Sequence, residues 1–303
     1  MDFDVVVLGS INLDVKALVG TYPQHKDTSF AKEIDMIPGG KGSNQAVAVS
    51  KLGGKIAFLG AVGNDSAGNQ MLTNLKKNGV DTSYIKISET EGTGTFLVML
   101  DDNGDNTMVG TLGANDTLTA EDITQPLSTI NAPVLLLQME TSHESIMAAL
   151  KAAKEKEMFV ILDPAPADGY FEEALTYADC VTPNQQETEK ISGIKVETYE
   201  DAVKAAKVIH EKGAKTVIIK MGSEGNVVYQ AGKVEFVAAH KVKAVDTIGA
   251  GDTFAGALAV HYAKHHDLIK AVEFANQAAA VKVSRTGGQS SIPTISELEN
   301  LVH

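Results

Sequence analysis

Short apolar runs, rich in β-branched residues, recur along the chain, and most end in a glycine or a polar residue. Val5-Val6-Val7-Leu8-Gly9, Ile56-Ala57-Phe58-Leu59-Gly60, Val134 to Met139 before Glu140, and Phe159 to Asp163 have the length and apolarity of buried strands. Cys180-Val181-Thr182-Pro183 and Thr216 to Lys220 read the same way. Between the runs the period lengthens to that of a helix. Asp65-Ser66 caps a helix to about Lys77, stopped by Asn78-Gly79, and Ser142 to Glu157 aligns Ile146, Ala149, Leu150 and Ala153. Further helices are expected over Ala46–Leu52, stopped by Gly53-Gly54, and over Thr253–Tyr262, Leu268–Ser284 and Thr294–Val302. Strand followed by helix, repeated, predicts an α/β fold: a doubly wound, mostly parallel sheet with helices on both faces. Such a sheet binds its ligands beyond the carboxyl ends of its strands.

Two regions break the alternation. Residues 15–38 carry short extended pieces and no long helix signal. Thr95–Leu100 and Asn106–Thr111 flank Asp101-Asp102-Asn103-Gly104-Asp105, a hairpin signal with a long loop. Together, segments of about 14–37 and 92–112 are expected to form a small second sheet. No linker or internal repeat interrupts residues 1–303, which are read as one domain.

The chemistry concentrates in Asp246-Thr247-Ile248-Gly249-Ala250-Gly251-Asp252-Thr253-Phe254-Ala255-Gly256-Ala257. A glycine turn running into an apolar helix is an anion site, because the first helical amides have no internal partner and lie at the positive end of the dipole. Asp252 within such a nest is a helix N-cap or a base that takes a proton from an attacking hydroxyl. A dinucleotide fingerprint would need glycine where Phe254 stands, and neither this stretch nor Gly40-Lys41-Gly42 fits a Walker loop.

The pattern Asp-Thr-x-Gly-Ala-Gly-Asp-x-Phe-x-Gly resembles the C-terminal signature of the ribokinase, or PfkB, family of carbohydrate kinases. Gly39-Gly40-Lys41-Gly42-Ser43-Asn44 is similar to the family's N-terminal signature, and Gly9-Ser10-Ile11-Asn12-Leu13-Asp14 to its first strand end. The resemblance implies a ribokinase-like fold in which the small sheet is a lid that often pairs two subunits into a homodimer. It implies that Asp252 is the catalytic base, with the amides of Gly249, Ala250 and Gly251 as anion hole. It places the sugar on Asn12, Leu13, Asp14, Gly40, Lys41, Gly42, Ser43, Asn44 and Glu140, next to Asp252. It places ATP on Asn184, Glu187, Lys220, Met221, Gly222, Ser223, Glu224, Gly225 and Asn276, meeting Gly251 and Asp252, with Mg²⁺ organised near Asn184 and Glu187. It places a monovalent cation, K⁺, on Asp246, Ile248, Lys282, Arg285, Gly287 and Ser291, mostly through backbone carbonyls.

Taken by themselves, Asn184 and Glu187 are two polar residues on one helix face, and Lys220 is either a surface lysine or a phosphate contact. The activity implied is ATP-dependent phosphorylation of D-ribose at its 5-hydroxyl, giving ribose 5-phosphate and ADP. Gln138-Met139-Glu140, Asp163-Pro164-Ala165-Pro166-Ala167 and Gly288 to Pro293 favour ribose over fructokinase-like, deoxyribokinase-like or adenosine kinase-like substrates. Two other classes are a nicotinamide oxidoreductase, opposed by Phe254, and a non-catalytic sugar-binding regulator, opposed by an intact Asp252 beside intact glycines.

Composition limits the setting. A net charge of −13 opposes nucleic-acid binding, although a local amide nest still admits an anionic nucleotide. The single cysteine, Cys180, allows no internal disulfide and reads as a buried structural thiol, so a cytoplasmic setting is expected. No apolar run approaches transmembrane length, so no membrane partner is expected. His261 and His265 share a helix face that is expected to be solvated.

Overall fold

The computed structural model describes residues 2–102 and 105–300. Asn103 and Gly104 of the expected hairpin loop, and the last residues of the expected C-terminal helix, lie outside the described residues. In chain order, β1 (Val5–Leu8), β2 (Asn12–Val19), β3 (Ala31–Gly39), α1 (Lys41–Lys51), β4 (Ile56–Gly63), α2 (Ser66–Lys77) and β5 (Ile85–Ser88) open the fold. β6 (Gly94–Leu100), β7 (Asn106–Thr111), α3 (Ala120–Thr129), β8 (Val134–Leu137), α4 (His143–Glu155), β9 (Phe159–Leu162) and β10 (Cys180–Val181) follow. The chain continues through α5 (Gln185–Ser192), α6 (Tyr199–Glu211), β11 (Thr216–Lys220), β12 (Gly225–Gln230) and β13 (Lys233–Ala238), and closes with α7 (Ala250–His265), α8 (Leu268–Val283) and α9 (Ile295–Glu299).

The main sheet has nine strands in the order β13-β12-β11-β10-β9-β8-β1-β4-β5. From β5 to β11 every pairing is parallel, and β12 and β13 add an antiparallel edge. Each central strand is buried on both faces and divides its side chains by parity. Val6, Leu8, Leu135, Leu137, Val160 and Leu162 pack toward α3 to α6, whereas Val5, Val7, Val134, Leu136 and Ile161 pack toward α1, α2, α7 and α8. Strand order reverses about β1, so the crevice between β1 and β8 is the topological switch point.

The small sheet is separate, in the order β3-β2-β6-β7. It leaves β1 after only three residues, which brings one of its faces over the carboxyl ends of the main sheet.

Two helices begin earlier than the pattern suggested. α1 starts at Lys41 and α7 at Ala250, because Gly40 (φ 88°) and Gly249 (φ 75°) take left-handed conformations as the residues preceding the helices. A reading from side chains puts those glycines in a loop; the backbone makes them the starting edge of a helix. α3 and α6 fall where no helix was expected, although Thr119 with Asp122 and Thr198 with Asp201 are capping boxes readable in the sequence.

The start of α1 is pressed against the end of β1. A Cβ on Gly42 would stand 2.4 Å from the carbonyl carbon of Gly9 and 2.5 Å from its Cα, and neither backbone can give way easily. Gly42→Ala is expected to destabilise the fold by about 1–3 kcal/mol, the usual cost of overpacking. Urea unfolding should show a lower midpoint at unchanged slope; an unchanged midpoint would mean that the two segments separate at no cost.

Candidate active site

The ends of β1, β8, β9, β10 and β11 bring their polar residues to one edge. Beyond β1, the Ser10 hydroxyl donates to the Glu140 carboxylate past the end of β8, and the Lys41 backbone N–H reaches the same oxygen at 3.4 Å. Asn12 is buried, and its Oδ1 accepts from Asn115 Nδ2 at 2.8 Å. Asn115 also holds the Ile11 backbone N–H at 2.9 Å, which locks the turn between the two sheets. Asp14 lies on the neighbouring strand over Gly39: a Cβ there would stand 2.1 Å from Oδ2, so any other residue at 39 would push the carboxylate from this position. Burial, with Glu140 and Asp252 nearby, pushes the Asp14 carboxyl up to about 6, against the pull of Lys41.

Asp252 sits in the first turn of α7 but does not cap it. The residue before the helix is Gly249, and the Asp252 side chain turns instead toward α1. Its Oδ2 accepts from Asn44 Nδ2 at 2.8 Å and its Oδ1 from Gln45 Nε2 at 3.3 Å. Gln45 also donates to Asp163 at 2.9 Å and accepts from Gln138 at 2.6 Å, so its amide can present itself only one way. Gln289 completes the frame by donating to Ser43 Oγ and Asn44 Oδ1 at 2.7 and 3.0 Å. Burial raises the Asp252 carboxyl above the usual aspartate range, opposed by Lys41 and by the amides of Asn44 and Gln45. Gly251 stays exposed beside this carboxylate, whereas the Ala250 amide of the expected anion hole is engaged by Thr247 O at 3.2 Å.

Lys220 is neither a surface lysine nor unpaired. Its Nζ lies 2.9 Å from Asp163 Oδ1, and the two side chains are 13% and 3% exposed. Burial alone would lower it, but Asp163, Glu187 and Asp252 hold it above the ordinary lysine value. Asn184 and Glu187 form a capping box at the start of α5: the Asn184 backbone N–H and Nδ2 donate to the two Glu187 oxygens at 2.8 and 2.9 Å. Burial and the Asp163 carboxylate raise Glu187. Lys41 stands between the two groups of carboxylates. Burial would lower it, yet Asp252, Glu140, Asp163 and Glu187 together hold it high, and no described residue binds its ammonium by salt bridge or hydrogen bond.

Other expected residues sit apart. Met221 to Gly225 make the tight turn joining β11 to β12, closed by Met221 N–H to Gly225 O at 2.9 Å. Asn276 is buried in α8, accepting from Asn226 at 2.6 Å and donating to Ala238 O at 3.0 Å. Arg285 of the expected cation site has its guanidinium paired with Glu297 at 2.9 Å. His261 is not simply solvated: it stacks on His265 and Phe274, with ring centroids 4.4 and 5.0 Å away. Among the described residues no cluster of His, Cys, Asp and Glu could hold a metal unaided. Asp163, Gln45, Asn115 and Gln289 were given no site role from the sequence, although Asp163 and Gln289 lie in stretches that favoured ribose. Asp163 carried a usable signal, a carboxylate at the end of a fully apolar strand.

A doubly wound sheet with a buried carboxylate beside an open helix start at its ligand edge suits chemistry on a small anionic ligand. The model of the pfkB family carbohydrate kinases matches residues 2–295, and the chain belongs to that family. It is 37% identical to the ribokinase of Haemophilus influenzae over 99% of this chain and 98% of that one. A ribokinase structure from Thermotoga maritima is 37% identical, with a TM-score of 0.90 over 99% of each chain. An Arabidopsis thaliana ribokinase complexed with ribose and ATP is 30% identical, with a TM-score of 0.93 over 100% of this chain and 99% of that one.

The raised carboxyl of Asp14 has a consequence for stability. The folded protein holds this proton up to about pH 6, whereas the unfolded chain releases it at the ordinary aspartate value, so stability falls as pH rises between the two. Asp14→Asn removes the ionisation. It should stabilise the protein by about 1–2 kcal/mol at neutral pH, allowing for partial exposure, and the gain should vanish near pH ~4. Thermal melts across that range check it; equal melting temperatures of variant and parent at neutral pH would show that folding leaves Asp14 well solvated.

Proposed function

We propose that the protein transfers the γ-phosphoryl group of ATP to the 5-hydroxyl of D-ribose, giving ribose 5-phosphate and ADP. The observation that carries this reading is the setting of Asp252. Its carboxylate is buried, acceptor-only, fixed by Asn44 and Gln45, and next to the exposed first turn of α7. It takes the hydroxyl proton as the sugar oxygen bonds to the γ-phosphorus, and the bond from phosphorus to the bridging oxygen breaks toward ADP. Gly249 and Gly251 at the start of α7, with Lys41, offset the charge on the transferring group. The substrate is assigned by the ribokinases to which the chain is similar and by the polar frame of Asn12, Asp14 and Glu140, which suits a small polyol.

ATP lies in this proposal along β10 and β11, over Asn184, Glu187, Lys220 and the turn 221–225, with Asn276 beyond. Asp14, Glu140, Asp163, Glu187 and Asp252 outnumber Lys41 and Lys220 at this edge, so a divalent cation arriving with the nucleotide fits the donor set. When bound, Mg²⁺ spreads the phosphate charge, and Glu187 and Asp163 would hold it through water. This reaction is read without a potassium requirement, because two of the carbonyls expected to bind that ion, those of Asp246 and Gly287, already accept from Lys282 Nζ.

We read residues 1–303 as one kinase domain, placed in the cytoplasm, with the small sheet as a lid over the sugar. Among the described residues no helix is long and apolar enough to cross a membrane. Register puts Asn12 and Asp14 on one face of the small sheet and Val15, Ala17, Ile34, Met36, Leu97 and Val109 on the other. Ile34, Met36 and Val109 are 62, 61 and 66% exposed, an apolar patch of the kind that marks an interface, so we infer a homodimer through these sheets. Val109→Lys should shift the protein to monomer in light scattering; a parent that is itself monomeric at micromolar concentration overturns the dimer.

Asp252→Asn should leave ATP and ribose binding intact and lower kcat by about 10²–10⁴-fold, the usual worth of a general base. Retention of more than about a tenth of parental turnover would remove Asp252 from that role. Asp14→Ala should raise KM for ribose, narrow the preference over 2-deoxyribose and leave KM for ATP nearly unchanged, because an unpaired hydroxyl partner costs most where the site was built to bind it. Steady-state kinetics with both sugars test it; a loss of ATP affinity with the sugar ratio intact would place the sugar elsewhere.

A further inference from the structure

The loop that starts α7 is built around a positive charge belonging to the chain itself. Lys282, in the last turn of α8, is 1% exposed, although lysine is rarely buried without partners. Its Nζ donates to the backbone carbonyls of Asp246 and Gly287 at 3.3 and 3.2 Å and lies 3.9 Å from Asp246 Oδ2. The acceptors are themselves fixed. Asp246 takes the Ile248 backbone N–H at 3.0 Å and the Gly287 backbone N–H at 3.3 Å, and Ser291 Oγ donates to the Gly287 carbonyl at 2.5 Å. These are the residues on which resemblance to the family predicts a potassium ion. Carbonyl oxygens turned inward around one point are what a desolvated monovalent cation needs, and an ammonium with three donors meets the same need. A mobile cation would have to enter beside a buried ammonium and take the same carbonyls from it.

Burial lowers Lys282, while the carboxylates of Asp246 and Asp252 oppose the shift and favour the charged form. Arg285 offers no alternative, because its guanidinium is held by Glu297. The neighbouring turn is held in the same manner: Lys51 Nζ donates to the carbonyls of Gln289 and Ile292 at 2.8 and 3.0 Å. The stem of Lys282 also reaches the anion hole, since a Cβ on Gly249 would stand 3.7 Å from Lys282 Cε. Its ammonium therefore grips Asp246 at one end of the loop while its stem backs Gly249 at the other.

We propose that the Lys282 ammonium is the resident cation of this loop, standing in place of a dissociable monovalent ion, and that the protein's phosphoryl transfer is independent of potassium. Lys282 is then a positioning residue: it shapes the start of α7 without touching substrate. The rate part rests on the kinase reading above; the binding part stands without it.

The parent protein should show no heat on titration with potassium chloride in a tetramethylammonium background, and no site in ²⁰⁵Tl resonance. Its turnover should agree within about twofold in potassium, sodium and tetramethylammonium salts at equal ionic strength. Lys282→Met should bind potassium and gain thermal stability from it. Its kcat should fall about tenfold or more in tetramethylammonium and recover in potassium, with KM for ribose and ATP moving less. Saturable binding of potassium or thallium to the parent overturns the proposal whether or not any sugar is phosphorylated. So does activation of the parent by potassium of about fivefold or more, or a folded Lys282→Met with full kcat in tetramethylammonium.

Discussion

The structure depends on keeping one carboxylate buried among neutral hydrogen-bond donors, with no salt bridge to it among the described residues. Asp252 achieves this between the first turns of α1 and α7, where side-chain amides from Asn44 and Gln45 replace water at its oxygens. A buried carboxylate with neutral donors pays much of its desolvation without the return of an ion pair, so it persists only if the donors cannot turn away. Each donor is accordingly tied by a second bond, Asn44 to Gln289 and Gln45 to Gln138 and Asp163. The glycines follow from the same demand. Gly40 and Gly249 let both helices begin abruptly enough for their first turns to meet around Asp252.

Around that centre the site is electrostatically unfinished. Asp14, Asp252 and Glu187 are all shifted upward by burial and by neighbouring carboxylates, and the Lys41 ammonium lies among them with no bonded partner among the described residues. A fold selected for stability alone would not gather acids on one sheet edge. Sugar hydroxyls that donate to the acids, and phosphates with a divalent cation that approach the lysines, would relieve the imbalance on binding. Lys220 and Asp163 show the opposite strategy a few residues away, a satisfied buried pair that fixes the end of β11 against β9.

The small sheet carries its function through parity. Because side chains alternate along a strand, the same register that turns Asn12 and Asp14 to the site turns Val15, Ala17, Ile34, Met36, Leu97 and Val109 outward. A one-residue slip would exchange the two faces. The Ile11–Asn115 bonds and the packing of Asp14 over Gly39 pin that register at the end nearest the chemistry.

The sequence by itself determined the strand and helix alternation, the separate small sheet and the clustering of chemistry at the strand ends. These follow from local patterns: apolar runs, capping residues and glycine turns whose physics acts within a few residues. The sequence also marked Asp252, as a helix N-cap or a base, and the resemblance to the family chose between the two. Only the tertiary structure decided which polar residues meet. The bond from Gln45 to Asp163, the frame of Gln289 and Asn115, and the pairing of Lys220 join segments more than fifty residues apart, and no periodicity encodes such contacts. Lys282 is the clearest case. In sequence the family resemblance puts Lys282 at a cation site, mostly through backbone carbonyls, and says nothing of its side chain; in the fold its ammonium lies under Asp246 and Gly287, because α8 ends where the loop before α7 begins.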